Sequence, residues 1–240
     1  MSDAVVIIPT YNEIENVESI IKAVFSQQKT FDVLIVDDNS PDQTGAAVKT
    51  LQSQFKEQLF LLERTSKSGL GTAYIAGFEW ALEKGYDFIF EMDADFSHNP
   101  DDLPKLYEAC ASKGADIAVG SRYVKGITVV NWPLSRILLS YGASRYVRFI
   151  TRMKVKDSTA GFICYKRAVL EAINLKKIKF VGYAFQIEMK FKAHRKGFKI
   201  VEIPVIFKDR TKGKSKMSGG IITEAIFGVI SLKIKSLFTK

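Results

Sequence analysis

The chain contains only two cysteines, Cys110 and Cys164, and they do not form a CxxC pair. That excludes a disulfide framework and points to a reducing compartment. No stretch offers the ~20 largely apolar residues that a membrane-spanning helix requires. The best candidate, residues 219–238, is interrupted by Glu224, Lys233 and Lys235. The N-terminus runs directly into Ala4-Val5-Val6-Ile7-Ile8-Pro9, with no basic leader and no small-residue cleavage site, so it reads as a first buried strand and not a signal peptide. Low-complexity tracts, internal repeats and Pro/Gly/Ser linkers are also missing, which argues against long disordered regions and against a repeat architecture. One domain of 240 residues with an ample apolar core is the expectation.

Charge is plentiful but unevenly placed. The net charge of +9 divides into −11 over residues 1–120, where 9 Lys/Arg face 20 Asp/Glu, and +20 over residues 121–240, where 26 face 6. A basic half calls for phosphate-bearing partners: nucleic acid, anionic lipid or a phosphorylated substrate.

Short apolar runs at residues 4–9, 33–36, 59–62, 87–92 and 115–119 alternate with helical patterns, such as Ile14, Val17, Ile20, Ile21 and Val24. Such alternation predicts an α/β fold, with a mostly parallel central sheet and helices on both faces; ligands then bind beyond the carboxyl ends of the strands. Further along, residues 134–152 and 183–195 read as helices, and 159–165 and 198–207 as strands. Arg145, Arg148 and Arg152 share one face of the first of these helices. A basic stretch, residues 209–217, precedes a final amphipathic helix with apolar Ile221, Ile222, Ile226, Val229, Ile230 and Leu237.

The chemistry-bearing residues stand at the strand ends. Asp93 and Asp95 close the fourth run, where extended backbone would point both to one side. Two carboxylates so close repel unless a cation lies between them, and hard oxygen ligands favour Mg²⁺ or Mn²⁺. After the first strand, Asn12 is a candidate cap for a helix starting near Ile14. After the second, Asp37 and Asp38 either cap the next helix or accept hydrogen bonds from a nucleoside. Gly69 and Gly71 open a helix in a segment that matches neither the Walker A nor the GxGxxG pattern. Packing explains them as well as function does.

Together, residues 6–13, 36–44, 69–73, 92–98, 157–162 and Gly120-Ser121-Arg122-Tyr123 resemble the inverting GT-A (Rossmann-like) glycosyltransferases. More narrowly, they are similar to the dolichol-phosphate (polyprenyl-phosphate) mannosyltransferases. The resemblance implies that Pro9, Tyr11, Glu13 and Asp38 hold the nucleoside, with Ala94 also in the nucleotide site. It implies that Asp93 and Asp95 hold the metal, that Arg122, Arg136 and Ser140 take the acceptor phosphate, and that Arg210 and Lys216 close over the donor diphosphate. Asp93, Asp95, Arg122 and Arg136 are thereby the catalytic set. The family often carries Gln two residues after the second aspartate, where this chain has Ser97.

What the resemblance implies is transfer of mannose from GDP-mannose to polyprenyl phosphate. No general base is needed, because a phosphate monoester with a second pKa near ~6 is already largely anionic. Transfer of glucose or an amino sugar from a UDP-sugar is the alternative, and a basic nucleic-acid-binding module is the rival of a different class; nucleic acid is not expected as a partner. The expected organisation is a nucleotide-sugar and metal half (residues 1–120), an acceptor-phosphate half (121–218) and an amphipathic helix (219–240). The expected location is the cytoplasmic face of a membrane, reached directly or through a membrane-anchoring partner.

Overall fold

Buried on both faces, residues 4–10 and 32–37 are rich in β-branched side chains, as the central strands of a parallel sheet must be. The computed structural model describes residues 2–209 and 219–238. In chain order it contains β1 (Ala4–Thr10), α1 (Val17–Phe25), β2 (Asp32–Asp37), α2 (Thr44–Gln52), β3 (Leu59–Glu63), α3 (Leu70–Lys84), β4 (Phe88–Glu91), α4 (Leu103–Ala111) and β5 (Ile117–Ser121). Then follow β6 (Val129–Val130), α5 (Leu134–Thr151), β7 (Ile163–Lys166), α6 (Arg167–Ala172), α7 (Tyr183–Arg195), β8 (Ile200–Pro204), β9 (Phe207–Lys208) and α8 (Gly219–Phe238).

Seven strands form one sheet in the order β3-β2-β1-β4-β7-β5-β8. All neighbours are parallel except β7, which runs antiparallel to β4 and β5. Side chains alternate across β1, so Val6 and Ile8 pack under α1, α2 and α4, whereas Val5 and Ile7 pack under α3, α6 and α7. A third cluster, with Val147, Ile187, Phe191 and Val229, joins α5, α7 and α8. The expected α/β sheet with helices on both faces is therefore what forms. Strands β6 and β9 pair separately, Val129 opposite Phe207.

Several local expectations are corrected. The run at 198–207 splits into β8 and β9, because Pro204 has no N–H to continue the ladder. The strand expected at 159–165 begins only at Ile163, since the buried Lys190 ammonium donates to the carbonyls of Ser158 and Ala160 just before it. Asn12 is not a helix cap: it takes a left-handed conformation (φ 56°), and α1 starts at Val17 behind a turn closed on the Glu13 carbonyl. Gly71 is explained by packing. Its N–H donates to Val181 O at 2.8 Å, and a Cβ there would meet the Phe185 ring at 2.8 Å.

Candidate active site

The parallel topology brings the loops after β1, β2 and β4 to one edge, and hydrogen bonds stitch the first two together. Asp38 N donates to Thr10 O (3.1 Å), Asn12 N to Ser40 Oγ (3.0 Å) and Glu13 N to Thr44 Oγ1 (3.1 Å). The paired aspartates of β2 divide their roles. Asp37 accepts from the Thr10 hydroxyl (2.8 Å) and from the hydroxyl and N–H of Ser40 (2.6 and 2.9 Å), so it is a structural brace. Asp38 lies 3.3 Å from the Arg64 guanidinium. Burial pushes its carboxyl above the ordinary range, opposed by Arg64. Lys67 sits 4.4 Å from the Tyr11 ring centroid. Asp38 and Tyr11, with Pro9 and Glu13 on the same strand end, form a rim suited to a nucleoside.

Asp93 and Asp95 converge by a different geometry from the one expected. β4 ends at Glu91, and the two carboxylates are presented by a turn, not by extended backbone. Phe96 holds the turn in the left-handed region (φ 60°), a strained conformation for a bulky residue. Asp93 N donates to His98 Nδ1 (3.1 Å), and Ser97 N donates to Asp95 Oδ1 (3.0 Å). His98 stacks on Phe162, and burial first of all lowers its pKa, so the ring is a neutral acceptor. Asp93 is partly open and Asp95 is buried. The oxygen donors suit a hard divalent cation. Ser97 Oγ, beside them, is buried without a hydrogen-bond partner among the described residues, as a direct or distant ligand would leave it. Ala94, between the two aspartates, packs into the core. No set of three or more His, Cys, Asp or Glu side chains is gathered for a metal among the described residues. Two carboxylates alone fit a cation that completes its shell with substrate oxygens and water.

Across the site, Arg122 follows β5 and is 8% exposed. Its Nε and Nη2 donate to Asp157 Oδ2 and Oδ1 (2.7 and 2.6 Å), its own N–H to Oδ2 (2.9 Å), and Nη2 also to Thr159 Oγ1 (2.9 Å). Trp132, Tyr123 and Phe207 surround the guanidinium with ring centroids 5.2–5.5 Å away. Asp157 is braced in turn: Glu202 accepts from its N–H and from Ser121 Oγ (2.9 and 2.7 Å). Arg136, in the first turn of α5, stacks on Trp132 at 4.0 Å and pairs with Asp209 at 3.0 Å. Ser140, one turn on, accepts from the Tyr123 hydroxyl (2.8 Å).

A cavity of about 500 Å³ unites these groups. Asp93, Asp95, Ser97 and His98 line one part, Arg122, Arg136, Ser140 and Asp209 another, and Leu138, Leu139, Ala143, Val147 and Ile187 supply an aliphatic wall. All five catalytic, metal and acceptor positions expected from sequence, Asp93, Asp95, Arg122, Arg136 and Ser140, line this one cavity, and Ser97, which stands where the family often has Gln, lines it as well. Pro9, Tyr11, Glu13, Asp38 and Ala94 lie outside its lining. Arg210 and Lys216 lie outside the described residues.

Sequence reasoning missed the supporting partners. Asp157 and Thr159 stood in a matched segment without a role, and Asp209 was read only as the start of a basic stretch. On α7, Gln186, Glu188 and Lys190 are all buried beside Phe185 and Met189, and Gln186 donates to Glu91 beneath the Asp93 turn. Charged residues inside an otherwise apolar helix face were the available signal.

The model of Glycosyl transferase family 2 matches residues 5–174. The polyprenol monophosphomannose synthase of Mycolicibacterium smegmatis is 47% identical over 230 residues, covering 96% of this chain and 86% of that protein. The undecaprenyl-phosphate mannosyltransferase of Micrococcus luteus is 47% identical over 223 residues, with 93% and 90% covered. Among solved structures, a mannosyltransferase from Pyrobaculum calidifontis, in complex with GDP-Man and Mn²⁺, superposes with a TM-score of 0.60 at 16% identity, over 98% of this chain and 74% of that one. That last likeness is one of fold, and the sheet described above is the GT-A arrangement. The chain belongs to glycosyl transferase family 2, among its polyprenyl-phosphate mannosyltransferases.

Proposed function

We propose that the protein transfers mannose from GDP-mannose to a polyprenyl phosphate, with inversion at the anomeric carbon, while resting on a membrane surface. The observation that carries this reading is the single cavity in which two carboxylates face two arginines beside an aliphatic wall. A nucleotide sugar at the acidic end and a lipid phosphate at the basic end would meet there, with the first isoprene units along Leu138, Leu139 and Val147. The relatives named above act on such lipids by name.

In the proposed reaction a phosphate oxygen of the lipid attacks the anomeric carbon. The bond from that carbon to the GDP oxygen breaks, and GDP leaves with the electron pair. The attacking oxygen carries no proton to remove, so the task of the chain is positioning and charge placement. Arg122 is held in a fixed orientation by Asp157 and Thr159, which pre-organises its planar fork for a phosphate. Arg136 meets the phosphate by exchanging Asp209 for it, since one carboxylate now occupies its Nη1. Ser140 adds a hydroxyl beside Tyr123. Pro9, Tyr11, Glu13 and Asp38 hold the nucleoside, Ala94 borders the diphosphate, and Arg210 and Lys216 close over it. A divalent cation, Mg²⁺ or Mn²⁺, on Asp93 and Asp95 supplies charge neutralisation for the leaving diphosphate.

No helix among the described residues is long and apolar enough to cross a membrane. The exposed face of α5 instead carries Leu134, Leu138 and Phe149, and that of α8 carries Phe227 and Ile234. Two adjacent amphipathic helices of this kind suit the interfacial zone of a bilayer. We assign the cytoplasmic face, alone or with an anchoring partner. Residues 1–120, 121–218 and 219–240 act as donor, acceptor and membrane segments of one domain.

The test is transfer of labelled sugar from GDP-mannose or UDP-glucose to polyprenyl phosphate, with Mg²⁺, Mn²⁺ or EDTA. Lipid-linked mannose should form only with a divalent cation, and Asp95→Asn should lower kcat at least about a hundredfold. Transfer from UDP-glucose alone would replace the donor in this reading. Transfer from neither would refute it.

A further inference from the structure

The acceptor residues Arg136 and Ser140 occupy the start of α5. At its other end, Arg145, Arg148 and Arg152 line a second, open hollow with Phe149 and Met153. It shares no residue with the reaction cavity. None of the three guanidiniums forms a salt bridge among the described residues. Arg148 Nε is buried and without a hydrogen-bond partner there. Three guanidiniums lining one hollow repel one another, and an anion received there offsets that repulsion.

The surroundings reinforce the demand for an anion. His194 on α7 is held below its ordinary pKa by burial and then by the nearby charges of Lys233, Arg195 and Lys154. Positive charge thus gathers where the ends of α5 and α7 meet α8. Aromatic rings lie within the same patch: Tyr141 near Arg145 (5.9 Å) and Phe149 near Arg152 (5.8 Å), with Phe149 72% exposed. A free inorganic anion would gain nothing from an exposed Phe149. A phosphodiester headgroup in a bilayer satisfies both features, since the ring enters the interface while the arginines engage the phosphate.

We propose that Arg145, Arg148 and Arg152 form a binding site for the headgroup phosphate of an anionic phospholipid. The site rests on the membrane part of the function proposed above and specifies the lipid. Arg136 and Arg148 are twelve residues apart on one helix, about 18 Å at 1.5 Å per residue. Headgroup capture at one end of α5 therefore fixes how the reaction cavity at the other end faces the bilayer.

Flotation of the full chain with phosphatidylcholine vesicles, with and without phosphatidylglycerol, tests the site. Wild type should float with the mixed vesicles, and the R145Q/R148Q/R152Q variant should partition about a hundredfold more weakly. The R145K/R148K/R152K variant keeps the charge but loses the planar fork, and should still bind several-fold more weakly than wild type. Equal flotation of the glutamine variant and wild type would overturn the proposal; so would lysine variant binding equal to wild type, which would leave only diffuse attraction. Inorganic phosphate that competed fully with vesicles at low millimolar concentration would also overturn it, by making the site one for a free anion. Circular dichroism and transfer to a short-chain, water-soluble acceptor should be unchanged in both variants, and the single R145Q variant, altered only at an exposed position, should repeat the trend if the triples unfold. Failure of the transferase reading would appear separately, as no transfer by wild type with vesicle binding intact.

Discussion

Arg122 and Asp157 form a buried charge pair, 9% and 0% exposed at the side chain, which sets the orientation of Arg122 in the cavity wall. Replacing such a pair by apolar groups can be neutral, but removing one partner leaves an uncompensated charge and costs about 3–5 kcal/mol. Asp157→Asn should therefore lower the urea-derived unfolding free energy by about 3 kcal/mol, as a polar isostere retains part of the hydrogen bonding. Transfer should fall further than stability explains, because Arg122 is no longer held in one orientation. Full activity in the folded fraction would show that the orientation of Arg122 does not matter. At this scale the sequence singled out Asp93 and Asp95 by their closeness just beyond an apolar run, and Arg122 through the family resemblance, next to the end of β5. It did not announce the Asp157 partnership. Thirty-five positions separate the two residues, and no local pattern encodes a contact made only when β5 and β7 lie side by side.

Elements were legible where periodicity ran long. The α5 and α7 boundaries follow from their helical patterns, and α7 is found over Tyr183–Arg195 as expected. The antiparallel direction of β7 was not legible, because a four-residue apolar run looks the same in either direction. Its entry is set by α7. Lys190, fully buried, donates to Ser158 O (3.2 Å), Ala160 O (2.6 Å) and Gln186 O (3.3 Å), and so clamps the segment that carries Asp157 and Thr159. Burial, partly offset by Glu91 and Asp157, lowers its pKa from 10.5 to about 8. The folded state thus binds fewer protons than the unfolded state between those two values, and this residue makes stability rise with pH across that window. Lys190→Met strands two carbonyls and should cost about 1–3 kcal/mol at neutral pH. The gap between wild type and variant should widen from about pH 8 to 10.5. Urea denaturation along that pH series checks it: a constant gap would mean that Lys190 does not titrate in the folded protein.

Over the whole molecule, the division between an acidic first half (−11) and a basic second half (+20) runs parallel to the donor and acceptor roles proposed for the two halves. The acidic half supplies the strand ends that carry Asp38, Asp93 and Asp95, proposed above for the donor. In the proposed reaction an anionic nucleotide sugar approaching that surface would be repelled until a divalent cation neutralises Asp93 and Asp95. The basic half supplies α5, α7 and most of the charge that would face an anionic bilayer, and its contribution acts over distance. Screening shortens from about 10 Å at 0.1 M salt to about 3 Å at 1 M. Buried pairs such as Arg122–Asp157 lie inside that length and are little affected. Rising salt should therefore release the protein from phosphatidylglycerol-containing vesicles and depress transfer to a vesicle-borne acceptor steeply. Transfer to a short-chain, water-soluble acceptor, and the KM for GDP-mannose at saturating metal, should change only a few-fold over the same range. The comparison separates two locations for the electrostatics. If both acceptors lose activity in parallel, the salt acts inside the reaction cavity, and the basic half serves the acceptor phosphate alone. If only the vesicle reaction is lost, the +20 of the second half is what delivers the cavity to its lipid substrate.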